Sequence, residues 1–133
     1  MATRLDNYKA RQAEVSAFGK NLARRASSKC ELCEEAGVRL TVFEVPPVPV
    51  EPEYERCTLI CDTCKDQIER PKSIDPLRWR CLGQAMWSEQ PPVQVMAIRL
   101  LKHLAAEEAW AADLLDQAYL EPEIEEWINE ATI

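Results

Sequence analysis

Two matched cysteine pairs, Cys30-Glu31-Leu32-Cys33 and Cys61-Asp62-Thr63-Cys64, are the residues of this chain best placed to do chemistry. Each Cys-x-x-Cys sets two sulfurs on one tight turn, close enough to share a tetrahedral ion. Two such turns supply the four thiolates of a closed structural zinc site. The 27 residues between the pairs (34–60) exceed the common spacing of about 15–20, which predicts an insertion. Four thiolates fill the coordination sphere of zinc and leave no position for water or substrate, so the site reads as scaffold and argues against metal catalysis. A redox function for the pairs is the competing chemistry, weakened because both pairs are poised around one ion.

The remaining candidates are less specific. Cys57 and Cys81 stand outside the pairs. Each reads as a small buried hydrophobe, with Cys57-x-x-x-Cys61 as an alternative ligand spacing and a redox thiol as a further alternative. His103 has no orienting partner nearby in sequence and reads as a surface residue rather than a general base. Trp79, Trp87, Trp110 and Trp127 read as core and inter-helix anchors rather than a stacking platform. Glu107-Glu108 and Glu125-Glu126 are adjacent, and helix neighbours diverge by about 100°, so they form solvated faces and not an acid–base dyad.

These residues need elements to hold them. Residues 5–26 read as one amphipathic helix, with Leu5, Tyr8, Gln12, Val15, Phe18 and Leu22 near a 3–4 residue spacing, Gly19 weakening its middle and Ser27-Ser28 ending it. A strand is expected over Val38–Val45 and a returning strand over Glu55–Ile60. Between them, four prolines in Val45-Pro-Pro-Val-Pro-Val-Glu-Pro-Glu-Tyr54 forbid helix and sheet interior, so residues 46–54 form an extended loop, the expected insertion. The second pair runs into a short helix that Pro71 ends. Knuckle, hairpin, knuckle, helix is the order of a treble-clef zinc finger, in which the helix N-terminus steadies the second pair's thiolates; a plain zinc ribbon is the alternative. Asp75-Pro76 opens a helical stretch over Leu77–Leu82 that Gly83 can close. Val93, Met96, Ala97, Leu100, Leu101 and Leu104 give the best helical periodicity in the chain. Trp110, Leu114, Leu115, Ala118 and Tyr119 form another helical face, and Pro122 starts a last helix with Ile124, Trp127 and Ile128 inward.

The fold class expected is therefore α+β: a small zinc-binding module of treble-clef or zinc-ribbon type, flanked by an N-terminal helix and a helical C-terminal region. The divisions are 1–28, a basic amphipathic helix; 29–72, the four-cysteine module; and 73–133, helical.

Composition bounds the function. The formal charge of −7 disfavours non-specific nucleic-acid binding as the main task. The charge is polarised, however: residues 1–29 carry seven basic and two acidic residues, and residues 105–133 carry nine acidic and no basic ones. The ends either complement each other, within one molecule or between subunits, or present a basic arm to an anionic partner. No segment approaches the ~18 apolar residues that span a bilayer. The N-terminal MATRLDNYKARQAE has no secretory pattern, so a reducing cytoplasm is expected.

Several runs carry a family resemblance: Lys29-Cys-Glu-Leu-Cys33, Val42-Phe-Glu-Val-Pro-Pro47, Leu59-Ile-Cys-Asp-Thr-Cys64, Trp79-Arg-Cys-Leu82, Met86-Trp-Ser-Glu89 and Pro92-Val-Gln-Val95. Together with Asp113-Leu-Leu-Asp116 and Tyr119-Leu120, over about residues 20–130, the chain resembles the PhnA-type proteins, named after the phosphonate-utilisation operon and bearing an N-terminal zinc-ribbon segment. The resemblance implies that Cys30, Cys33, Cys61 and Cys64 bind one zinc ion. It implies no reaction, since the family name records a gene neighbourhood. A second resemblance is to HNH endonucleases, which place an Asp-His-Ile-x-Pro-like segment between two knuckles. Here the stretch is Val42-Phe43-Glu44-Val45-Pro46, without the histidine, and Glu44 alone does not make a phosphodiesterase site.

The function expected is a non-enzymatic, zinc-stabilised protein that binds a protein partner or itself. The competing expectation is nucleic-acid binding through the basic helix and a degenerate HNH-like module. An enzyme acting on phosphonates comes third, and would need an anion-binding arginine cluster, for which Arg78 and Arg80 are the only tight pair beyond the N-terminal helix.

Overall fold

In chain order the helices are α1 (Arg4–Ser16), α2 (Gly19–Arg25), α3 (Asp62–Glu69), α4 (Leu82–Ala85), α5 (Pro91–Leu104), α6 (Ala109–Gln117) and α7 (Pro122–Asn129), and the strands are β1 (Leu40–Glu44) and β2 (Cys57–Cys61). They are seen in a computed structural model that describes residues 3–133; Met1 and Ala2, which open the expected segment 1–28, lie outside the described residues. The class is α+β, with one two-stranded antiparallel sheet in the register Leu40 to Cys61 through Glu44 to Cys57. No helix among the described residues is long and apolar enough to cross a membrane.

The N-terminal helix is not one rod. A capping box starts α1, with Asp6 N donating to Thr3 Oγ1 and Thr3 N to the Asp6 carboxylate. At its end Ala17 N reaches both Ala13 and Val15 carbonyls, and Phe18 N reaches the Val15 carbonyl. That tightening to an i−3 pattern breaks the helix before Gly19, which opens α2 instead of weakening a helix interior. The apolar spacing expected to run inward from Leu5 holds only at its C-terminal end. Val15 and Leu22 are buried, whereas Leu5 is 60% and Tyr8 61% exposed. Ser27 and Ser28 end α2 in the left-handed region, with Ser28 N returning to the Ala23 carbonyl.

Both faces of the hairpin are covered, which is why β2 shows no polar alternation. All five of its residues are buried. Cys57 and Leu59 pack with Leu22 of α2, flanked by Phe18, Val42 and Tyr54, while Ile60 belongs to the main core. That main core is continuous from the knuckles to the C-terminal helices, joining Cys30, Leu32, Cys61, Cys64 and Ile68 to Trp79, Leu82, Met96, Leu100 and Ile128. The longest helix, α5, supplies most of it, as its periodicity predicts. The stretch after Asp75 is a 3-10 turn (Arg78–Cys81) that runs into α4, so Gly83 lies inside a helix and does not close one. Helix α6 stops at Gln117, leaving Tyr119 78% exposed beyond it. Trp79 is fully buried, but Trp87 is 49% exposed and anchors nothing in the core.

Arg99, on the core helix α5, is 3% exposed. Its guanidinium donates to the carbonyls of Trp127 (2.6 Å), Ile128 (3.2 Å) and Pro46 (2.6 Å). Two of these acceptors are last-turn carbonyls of α7, where Trp127 O otherwise receives only the C-cap Glu130 N, so the buried cation caps the negative end of its dipole. Trp127 Nε1 also donates to the Pro46 carbonyl at 3.1 Å, and Arg56 lies 4.7 Å over the Trp127 ring. The expected free surface loop is thus tied at its first proline to α5 and α7. Arg99→Met leaves the Ile128 carbonyl unpaired and takes the shorter donor from the Trp127 and Pro46 carbonyls, which keep only Glu130 N and Trp127 Nε1 respectively. Bonds from a charged donor are lost at all three, so the protein is expected to lose about 3 kcal/mol, read as a lower urea midpoint with unchanged m-value.

Candidate metal centre

Local chain geometry builds both halves of the site in the same way. In each pair the backbone N–H of the second cysteine points at the first sulfur: Cys33 N to Cys30 Sγ and Cys64 N to Cys61 Sγ, both at 3.5 Å. The first pair lies on a turn closed by Cys30 N to the Glu35 carbonyl (3.0 Å) and Glu34 N to the Cys30 carbonyl (2.8 Å). Glu34 and Gly37 there take positive φ (64° and 73°), and at Gly37 the missing side chain makes this easy. The second pair lies where β2 becomes α3, and Cys61 is the N-cap of α3.

The four sulfurs converge, all within 4.8 Å of one another. Cys30 to Cys64 measures 3.8 Å and Cys33 to Cys61 3.7 Å. A cation about 2.3 Å from four sulfurs in a regular tetrahedron needs sulfur–sulfur edges of about 3.8 Å, so this donor set fits a divalent ion. All six cysteines are free thiols. Electrostatics point the same way. The Cys64 hydrogen bond pulls the Cys30 thiol down to about 5. Burial pushes Cys33 up to about 12, and the interaction with Cys30, then burial, pushes Cys64 up. Sulfurs this close and this buried cannot all be anionic unless a cation sits among them.

Neighbouring side chains hold the knuckles in place. Glu31, between the first two cysteines, has a buried carboxylate that accepts Arg25 Nε (3.0 Å) and Nη2 (2.7 Å), Thr58 Oγ1 (3.1 Å) and Leu59 N (2.8 Å). Arg25 also donates to the Cys57 carbonyl. The first knuckle is thereby fastened to β2 on one side and to α2 on the other. Arg78 Nη2 lies 3.3 Å from Cys61 Sγ, 3.5 Å from Cys64 Sγ and 3.6 Å from Cys33 Sγ, with Glu35 at 3.8 Å. Burial works against its charge, but the hydrogen bond to Cys64 and the field of the sulfurs outweigh that and raise its pKa.

The other candidates are not brought to this centre as ligands. Cys57 Sγ donates to the Glu53 carbonyl and packs with Leu22 and Leu59, so it does not serve as the alternative ligand. Burial pushes Cys57 and Cys81 up to about 11, which makes both poor nucleophiles. Glu44, the one carboxylate of the HNH-like stretch, is gripped bidentately by Arg11 at 2.8 and 3.0 Å. Arg78 and Arg80 diverge: Arg78 faces the sulfurs, and Arg80 lies 4.8 Å over the Trp110 ring. They make no anion cluster. His103 is exposed at the end of α5, and Glu125 and Glu126 face solvent, but Glu108 accepts Trp110 Nε1 and is half-buried. Ion pairs among the described residues include Arg11–Glu44 and Arg25–Glu31, and none joins residues 3–29 to residues 105–133.

The pattern of pairs makes the four cysteines legible. Sequence reasoning misses Glu31, Arg25 and Arg78 as parts of the site, since nothing local distinguishes a charge facing the cage from one facing water. A glutamate inside a Cys-x-x-Cys, with two strands' worth of apolar sequence returning beside it, is the one available signal. Compared with protein-family profiles, curated proteins and solved structures, the chain matches none.

Proposed function

We propose that the chain is a cytoplasmic, zinc-stabilised binding protein of the PhnA type, with a treble-clef module in which Cys30, Cys33, Cys61 and Cys64 hold one structural zinc ion. The observation that carries this reading is a four-sulfur cage of tetrahedral dimensions whose second pair caps a helix. That placement favours a treble clef over a ribbon, because in a plain ribbon both pairs lie on hairpins. Zinc supplies folding energy there, and its filled coordination sphere keeps it out of catalysis.

The partner is a protein, either another chain or a second copy. Supporting this, apolar side chains stay exposed where α1 meets the Pro-rich loop. Arg11 ties that loop down by donating to the Pro49 and Val50 carbonyls. The resulting shallow hollow is lined by Tyr8 and Val50 (96% exposed), with Arg4 and Glu51 on its rim. Native mass spectrometry of the protein purified from its own cells is expected to give one zinc per chain and a bound polypeptide that Tyr8→Glu removes. A metal-free folded chain, or a spectrum with no bound polypeptide in the wild type, contradicts the reading.

Nucleic-acid binding is the second reading, favoured by the exposed cations Arg4, Lys9, Lys20, Arg24 and Lys29. Two of the N-terminal cations, Arg11 and Arg25, are engaged by Glu44 and Glu31 and are lost to phosphate. Binding of a labelled single strand through the remaining five would weaken steeply with salt, whereas a largely apolar protein interface would not. We expect no binding of such a strand at physiological salt by fluorescence anisotropy.

A further inference from the structure

We propose that Arg78 caps one face of the four-sulfur cage and sets how tightly and how long the metal is held. This rests on the cage being a metal site. One atom, Nη2, stands nearly equidistant from Cys61, Cys64 and Cys33 at 3.3, 3.5 and 3.6 Å. Three sulfurs define one triangular face of a tetrahedron, and the guanidinium sits over that face. Cys30, the fourth vertex, is buried on the other side of the cage and receives no donor from Arg78. Cys33 is the least buried of the four sulfurs' residues, and Arg78 touches it. The cap therefore covers the side from which a chelator or a competing ligand would approach.

The charges give the cap its strength. Four thiolates and one divalent cation sum to −2, a charge that is costly to hold half out of water. A fixed cation whose Nη2 shares its two N–H donors among three sulfurs halves that charge and stabilises the sulfur lone pairs, as charge-assisted donors around a metal do. Among the described residues the Arg78 side chain has no backbone carbonyl as acceptor, and its Nε is buried with no partner. An arginine that served only packing would not leave a buried donor orphaned to reach sulfur. A neighbouring device aims it. Gln67 on α3 accepts both Trp79 Nε1 (2.7 Å) and Asp75 N (3.0 Å) through Oε1, which holds the segment carrying Arg78 against the helix that Cys61 and Cys64 begin. Glu35, half exposed at 3.8 Å, holds the guanidinium from the solvent side.

The test compares the wild type with Arg78→Gln and Arg78→Lys, each loaded with Zn2+ for chelator competition and with Co2+ for absorption spectra. Arg78→Gln is expected to lose about 10–100-fold in zinc affinity, the range for removing a second-layer hydrogen-bond partner, and to pass its zinc faster to the chelator. Lysine keeps the charge but ends about one bond short of Nη2, so Arg78→Lys should lose less affinity. In both variants the sulfur-to-cobalt charge-transfer band should move to lower energy, because the sulfur electrons lose their N–H donors. A role in packing alone leaves that band where it is. If Arg78→Gln fails to fold, the band of Arg78→Lys decides. An unshifted band with wild-type zinc retention overturns the cap, and a folded wild type that takes up no metal overturns the metal site itself along with it.

Discussion

Cys61→Ser is expected to abolish stoichiometric zinc uptake and to unfold the knuckles together with much of the core behind them. The substitution isolates the metal's contribution. Serine is nearly isosteric with cysteine and is a better helix N-cap, so α3 keeps its start and the volume barely changes. What disappears is one of four thiolates. Structural zinc in small modules supplies an apparent ~10–16 kcal/mol of folding free energy, which equals or exceeds the whole net stability of a typical domain, ~5–15 kcal/mol. The effect spreads because Cys30, Cys61 and Cys64 share one buried cluster with Trp79, Met96 and Leu100. Trp79 is fully buried, and its indole is held by Gln67 of the same α3. The measurement is tryptophan emission alongside zinc stoichiometry: a red shift with loss of bound zinc in the variant, and the same shift when a strong chelator strips the wild type. Native emission from a Cys61→Ser protein that still carries one zinc per chain would sink the structural-metal account.

Glu31→Ala is expected to cost about 3–5 kcal/mol in zinc-loaded protein at fixed free zinc, the range for removing one partner of a buried ion pair. Its carboxylate is nearly inaccessible (side-chain exposure 7%, against 13% for Arg25). Its loss leaves the Arg25 guanidinium with one carbonyl acceptor, and Leu59 N–H with none inside the sheet edge that β1 does not cover. Glu31→Gln keeps the shape and one acceptor oxygen and should cost roughly half as much, because bonds to a charged group contribute about 1.5–3 kcal/mol. A double-mutant cycle with Arg25→Ala separates the pair from the rest: the coupling should be at least about 1 kcal/mol, as for side chains in direct contact. Equal urea midpoints for Glu31→Ala and wild type would show that the knuckle needs no such fastening. Zinc affinity should fall with stability in Glu31→Ala, since the turn that presents Cys30 and Cys33 then keeps only the backbone bond from Glu31 N to the Leu59 carbonyl of β2 and loses its tie to α2.

Local chemistry makes the four cysteines legible, since a Cys-x-x-Cys turn brings its two sulfurs together whatever surrounds it. The same holds for the hairpin and for α5, whose apolar period spans about four turns. The turn at Asp75-Pro76 is legible too, although it winds as a 3-10 turn into α4. Leu5 and Tyr8 have the spacing of an inward face, but the sequence carries no record of where the hairpin that would cover them ends; Val15 and Leu22 are buried, Leu22 against Cys57 and Leu59 of β2, and Leu5 and Tyr8 are left exposed. Arg99 has the charge of a solvated helix face, yet it is buried because the C-terminus of α7 arrives beside it with last-turn carbonyls that accept its guanidinium. In the same way Arg11, Arg25 and Arg78 are alike as letters, and their roles differ because Glu44, Glu31 and three sulfurs meet them from distant parts of the chain. Residue order alone was enough to dictate a four-sulfur cluster and the hairpin and helix that carry it. Packing in three dimensions chose which charges face the cage and which apolar side chains stay in water. Electrostatic and burial energies depend on neighbours in space, while turn and helix signals depend on neighbours along the chain.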